Sequence, residues 1–239
     1  MAEPVRPPIR AVLFDKDGTL FDFFGTWLPA MEAIARETAG HDEALAERLL
    51  TLGGRDPVTG RLDPQSVMAA GTNLELAQLW AAEVGRTDVE ALARRFDDFF
   101  RAHGVTHATP VTDLPRLFTR LKGRGLRLGL ATMDSHAAAE ATMAAFELSA
   151  LLDFVCGYDT GHGTKPGPGM VHAFCRAVEI PVEAVAVVGD TPHDLEMARA
   201  AGAGLAIGVL TGASPREHLA PHADHVLESI AEIESVLGP

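Results

Sequence analysis

Tyrosine occurs once in the 239 residues and cysteine twice. A recognition surface built on aromatic side chains needs more than this, so none is expected. The two thiols, Cys156 and Cys175, stand in apolar surroundings. They have neither metal-ligand spacing nor the numbers of a disulfide framework, and they read as small buried hydrophobes. Positive charge is scarce too. Against 33 acidic side chains there are 20 basic ones, leaving a formal charge of -13. Such a surface repels nucleic-acid phosphates and anionic membranes, so neither is an expected partner. A small anionic substrate is not excluded, because one local positive pocket outweighs a distant negative surface. No apolar run reaches the ~18 residues of a membrane span. The polar, proline-rich segment Met1 to Arg10 lacks the apolar stretch of a signal peptide. The expectation is a cytoplasmic protein, monomer or homodimer.

What is present is an ordinary globular composition, 47% hydrophobic and 22% charged, without internal repeat or low-complexity tract. Short apolar runs recur at Ile9–Phe14, Leu126–Ala131, Leu152–Cys156, Ala184–Val188 and Leu205–Leu210. Their length and their glycine-bearing or polar exits mark them as buried strands. Helical patterns lie between them, at Leu114–Arg124, Ser135–Glu147, Pro168–Val178 and Asp194–Ala201. Strands alternating with helices predict a parallel sheet covered on both faces. Ligands of such sheets bind at the carboxyl ends of the strands. Asp15, Thr132 and Asp190 all fall at such ends.

One stretch breaks the rhythm. Between Asp22 and His107 no buried strand is read; helical patterns at Trp27–Ala39, Asp42–Leu50, Leu74–Val84 and Asp88–Phe100 take its place. The expected division is a Rossmann-like α/β core over 1–21 and 108–239, with an inserted α-helical cap domain over 22–107. Two linkers side by side, near Phe21–Phe24 and His107–Pro110, would form a hinge. Phe21, Phe23, Phe24 and Trp27 read as hinge and interface packing, and Phe96, Phe99 and Phe100 as helix core.

The chemistry concentrates at the strand ends. Asp15 and Asp17 share one pocket only if the chain turns, and Gly18 permits that turn. Two carboxylates so close repel each other and need a cation or a shared proton between them. A hard cation with oxygen ligands, Mg²⁺, fits this. Asp190 supplies a third carboxylate. Asp194 either supports the metal shell or orients Lys165. Thr132 and the backbone N–H of Met133 and Asp134, just before a helix, would hold an anion, and Lys165 would balance its charge. The set permits two steps: Asp15 attacks phosphorus, while Asp17 first protonates the leaving alcohol and then activates water.

These residues fall into four motifs: Asp15-Lys16-Asp17-Gly18-Thr19-Leu20, Thr132, Lys165-Pro166, and Gly189-Asp190-Thr191-Pro192-His193-Asp194. In order and setting they resemble the haloacid dehalogenase superfamily, in its phosphatase branch. The resemblance covers the chain after the N-terminal tail. It implies a Rossmann-like core with a helical cap, and a main-chain carbonyl of Asp17 on Mg²⁺ while its side chain does acid–base work. Asp17 speaks against a true dehalogenase. The cap position and chain length resemble phosphoglycolate phosphatases. Two features depart from that pattern. Lys16 replaces an apolar residue and is expected to put a charge near the site entrance. The second motif continues as Met133-Asp134-Ser135 rather than Thr-Asn-Lys.

The expected substrate is a small phosphorylated metabolite, selected by the cap. The loop Leu52–Arg61 carries Arg55 and Arg61, either of which could clamp a second anionic group of the substrate. His136 and His193 flank the core motifs without a chemical step. The alternative activity is a phosphosugar mutase of the β-phosphoglucomutase type, using the same Asp15 and Asp17.

Overall fold

The computed structural model describes residues 7–63 and 65–238; residues 1–6 of the proline-rich N-terminal segment lie outside the described residues. The chain begins with β1 (Ala11–Phe14) and then runs through five helices. These are α1 (Phe23–Thr38), α2 (Glu43–Leu52), α3 (Val67–Ala70), α4 (Asn73–Glu83) and α5 (Val89–His107). Next come α6 (Leu114–Gly123), β2 (Arg127–Ala131), α7 (His136–Ala145), β3 (Phe154–Cys156), α8 (Gly169–Val178) and β4 (Val185–Gly189). The chain ends with α9 (Pro192–Ala201), β5 (Leu205–Val209), α10 (Arg216–Leu219) and β6 (His225–Leu227). No described helix is long and apolar enough to cross a membrane.

The six strands form one sheet in the order β3-β2-β1-β4-β5-β6, parallel throughout. Successive side chains of β1 face opposite ways. Val12 and Phe14 enter a core with Leu117, Phe118 and Leu121 of α6 and Met143 of α7. Ala11 and Leu13 enter another, with Val171 and Phe174 of α8 and Leu195 and Ala198 of α9. Burial on both faces explains why the strands read as continuous apolar runs rather than alternating ones. Strand order reverses direction between β1 and β4, so the crevice at their carboxyl ends is where such a sheet admits a ligand.

The cap helices enclose their own core, with Trp80, Phe96, Ile34, Leu49 and Leu92 at its centre. Its two linkers run side by side: the Asp22 N–H donates to Thr109 O at 2.8 Å and the Val111 N–H to Leu20 O at 3.0 Å. Two helices run longer than their sequence patterns. Helix α1 starts at Phe23 because the Asp22 carboxylate accepts the Gly25 N–H at 2.7 Å and caps it. Helix α5 continues past Phe100 through Gly104 to His107. A Cβ at Gly104 would lie 3.1 Å from Trp27 and 3.4 Å from Thr142, so glycine serves close packing there. Strand β6 was not expected; three residues on a sheet edge carry little pattern.

The aromatic group around the linkers divides. Phe21 is fully buried and packs on Phe146 with ring centres 4.8 Å apart. Phe24 is exposed, whereas Phe23 and Trp27 line a cavity. Phe96 and Phe100 are buried in the cap core. Both cysteines are free, Cys156 buried and Cys175 partly so.

Candidate active site

The end of β1 is tied to β4 by the Asp15 N–H, which donates to Val188 O at 2.8 Å. The chain then folds back: the Lys16 carbonyl accepts the Leu20 N–H at 2.8 Å, with Gly18 at φ 84°. A side chain at Gly18 would be strained and would collide with the Asp190 carboxylate. The turn therefore packs the first motif directly on the fourth.

Four side chains from three loops meet here. The Lys165 ammonium, almost fully buried, donates to Asp15 Oδ1 and to Asp194 Oδ1, the latter at 2.6 Å. The other Asp194 oxygen accepts from the Thr191 N–H at 3.1 Å and from its hydroxyl at 2.7 Å, forming a capping box on α9. Both Asp194 oxygens thus have protein donors, and the geometry orients Lys165. Asp190 is the exception. One of its oxygens accepts the Ala213 N–H at 2.8 Å.

Charge follows this arrangement. Burial pushes the Asp15 carboxyl up to about 7 despite Lys165, with Asp194 and Asp17 adding to the rise. Burial raises Asp190 well above the carboxylate range, with Asp15 and Asp194 adding to it. Burial pulls the Lys165 ammonium down, but Asp15 and Asp194 outweigh it and hold its value above the ordinary one. Asp15, Asp190 and Asp194 bring one ligand atom each within 4.8 Å of one another, all buried. Three buried carboxylates share one lysine. That excess of oxygen donors fits a divalent cation such as Mg²⁺. The Asp17 side chain stands outside this trio.

The loop after β5 is part of the site although its sequence drew no role. The Thr211 hydroxyl donates to Gly18 O at 2.6 Å, and a Cβ at Gly212 would run into the Asp190 carboxylate. The available signal was the small-residue turn Thr211-Gly212-Ala213 at the end of a strand neighbouring β4.

On the other side of β1, the Thr132 N–H donates to Cys156 O at 2.9 Å. Its hydroxyl oxygen accepts the Asp134 N–H at 3.1 Å, so that amide is engaged within the loop. Thr132 and Met133 line the cavity with Lys165.

Lys16 does not stand at the site entrance, as the sequence suggested. It is fully buried. Its ammonium lies 2.8 Å from Asp17 Oδ2, 3.1 Å from Asp134 Oδ2 and 4.9 Å from the Trp27 ring centre. Burial lowers its affinity for a proton, but the two carboxylates more than restore it. The Trp27 indole N–H donates to Asp17 Oδ1 at 2.6 Å, so a cap residue holds the candidate acid–base group.

Between sheet and cap lies a cavity of about 730 Å³, open mouth included. Its floor carries Asp15, Asp17, Thr132, Met133, Asp134, Lys165, Asp190, Thr191, His193 and Asp194. Its roof is Phe23, Trp27, Met31, Val67 to Asn73, Leu76 and Phe100. Neither Arg55 nor Arg61 lines it. The Arg55 guanidinium is bound by Glu32 at 3.0 Å and Glu47 at 3.1 Å, which ties α1 to α2. Arg61 is exposed. The expected clamp for a second anion therefore has no geometry here. His193 lines the cavity; His136 does not.

Comparison with known proteins agrees with this geometry. A family model described as haloacid dehalogenase-like hydrolase matches residues 9–202. A phosphoglycolate phosphatase of Cupriavidus necator is 29% identical over 97% of this chain and 94% of its own length. One from Photorhabdus laumondii is 25% identical over 100% and 96%. The crystal structure of CbbY from Rhodobacter sphaeroides in complex with phosphate superposes with TM-score 0.66, covering 94% of this chain and 96% of that one at 23% identity. That last likeness concerns the fold.

Proposed function

This chain belongs to the haloacid dehalogenase-like hydrolases, and from that premise we propose that it hydrolyses a small-molecule phosphomonoester through an aspartyl-phosphate on Asp15. The observation that carries the reading is the meeting of Asp15, Lys165, Asp190 and Asp194 at the carboxyl edge of the sheet.

An Asp15 carboxylate oxygen bonds to phosphorus as the bond to the leaving alcohol breaks. Asp17 gives that alcohol its proton, then takes one from the water that attacks the phosphorus of the aspartyl-phosphate. Phosphate leaves and the Asp15 carboxylate is restored. Lys165, with Thr132 and the Met133 amide, faces the phosphoryl oxygens and stabilises their charge in the transition state. Asp15 and Asp190, with the main-chain carbonyl of Asp17, would hold Mg²⁺, which when bound neutralises phosphoryl charge. The cap roof excludes water other than the attacking one.

The relatives named as phosphoglycolate phosphatases make phosphoglycolate a reference substrate. A phosphosugar mutase would use the same Asp15 and Asp17 and differs in product. A panel of phosphomonoesters, with and without Mg²⁺, tests the proposal by inorganic phosphate released against isomer formed. Metal-dependent phosphate release is expected. Asp15→Asn is expected to remove it, by at least about 10⁴-fold, while circular dichroism stays unchanged. Turnover near wild type in that variant would place the nucleophile elsewhere.

A further inference from the structure

Among the described residues the roof of the cavity holds no lysine or arginine; Lys165 on the floor is the one such residue in the described lining, and it is already shared by Asp15 and Asp194. What faces the phosphoryl site from above is apolar: Phe23, Trp27, Met31, Met68, Leu76 and Phe100. Each of these is buried.

One feature of the roof could in principle receive an anion, the amino end of α4, where Thr72 and Asn73 line the cavity. A capping box engages part of it, the Glu75 N–H donating to the Thr72 hydroxyl at 3.1 Å. The Thr72 N–H donates to Glu75 Oε2 at 2.7 Å, its hydroxyl to the same oxygen at 3.0 Å, and the Asn73 side-chain amide to Asp97 at 2.8 Å. The Glu75 carboxylate brings its own negative charge to this end of the helix. Asp17 and Asp134 on the floor add negative charge.

Resting on the phosphomonoesterase reading above, we propose that the leaving group of the substrate is uncharged and largely apolar, so that the enzyme selects alkyl- or aryl-type phosphomonoesters and discriminates against those bearing a second anion. A carboxylate in the leaving group would lose its water against Met31, Leu76 and Phe100 with no cation to replace it, a costly exchange. An apolar body would instead leave water for an apolar wall with no hydration shell to give up. Arg55, the residue best suited to reverse this preference, is held away from the cavity by Glu32 and Glu47.

Matched substrates test the idea: benzyl phosphate against 4-carboxybenzyl phosphate, and propyl phosphate against phosphoglycolate, with Mg²⁺. The neutral member of each pair is expected to have at least roughly tenfold higher kcat/KM. Met31→Arg, confirmed folded by its melting transition, is expected to narrow that ratio by raising turnover of the carboxylated member. Equal ratios, or preference for the carboxylates, overturn the inference and leave the phosphomonoesterase reading standing. Absence of phosphate release from every ester overturns that reading, and the inference with it.

Discussion

Lys16, just beyond β1, and Asp134, just beyond β2, form a buried ion pair at 3.1 Å. Lys16 belongs to the first motif read from the sequence, and Asp134 to the stretch that continues the second, Met133-Asp134-Ser135. In the sequence they look unrelated. In the fold they meet, because β1 and β2 are parallel neighbours and both residues follow the strand ends. A cation and an anion share the same enclosed space.

A cycle of substitutions measures that coupling. Lys16→Leu leaves Asp17 and Asp134 without their cation and is expected to cost about 3–5 kcal/mol of unfolding free energy. Asp134→Asn added to it is expected to recover a large part of the loss. Urea denaturation of the four proteins gives the coupling directly. Strict additivity would mean that the two residues do not compensate each other.

The indole of Trp27 ties the cap to Asp17 at 2.6 Å. Trp27→Phe keeps most of the apolar volume and removes the donor. If that bond orients Asp17 for proton transfer, kcat is expected to fall roughly tenfold, a part of the ~10²–10⁴-fold that a positioned acid–base group contributes, with KM changing less. The effect should be largest for esters with poor leaving groups, which need the proton most. A uniform loss across leaving groups, seen in a kcat series, would assign Trp27 to packing alone.

The single tyrosine bridges the two parts of the molecule as well. The Tyr158 hydroxyl, on the loop after β3, donates to Asp97 of α5 at 3.2 Å, and Asn73 donates to the same carboxylate. Burial raises the pKa of Asp97. Tyr158→Phe is expected to cost about 1 kcal/mol, as for one ordinary hydrogen bond. Amide exchange in α5 should quicken more than in the sheet, since this contact joins cap to core. Equal quickening everywhere would show that the bond serves global stability only.

The parallel sheet, the helical insertion and the grouping of Asp15, Lys165, Asp190 and Asp194 were legible because each depends on local pattern: an apolar run, then a turn, then a polar residue. What escaped depends on distance in the chain. Nothing near Arg55 announces that Glu32 and Glu47 will claim it. Nothing near Gly212 announces that the Asp190 carboxylate will lie against it. Nothing near Gly104 announces that Trp27 and Thr142 will pack against it. Pairings of this kind are fixed by packing, which one segment cannot disclose.

The buried carboxylates make stability depend on pH and metal together. In the unfolded chain Asp15 loses its proton near 3.8; in the fold, burial holds it until about 7. Between those values the folded state binds more protons than the unfolded one, so stability falls as pH rises. The Asp15 contribution is therefore fully present below about pH 4 and lost by about pH 7. Asp190, raised in the same direction, adds to the loss. A cation binding the ionised carboxylates opposes it. Without metal, the melting temperature is expected to drop between about pH 5 and about pH 8. Excess Mg²⁺ is expected to raise it more at the higher pH, where the ligands are already ionised. Asp190→Asn can still accept the Ala213 N–H but removes one acid. It is expected to melt higher than wild type without metal at about pH 8, and to lose most of the Mg²⁺-induced shift. Thermal melting of both proteins across that range checks each part. A Mg²⁺ shift that survives intact in Asp190→Asn would move the cation away from the crevice between β1 and β4.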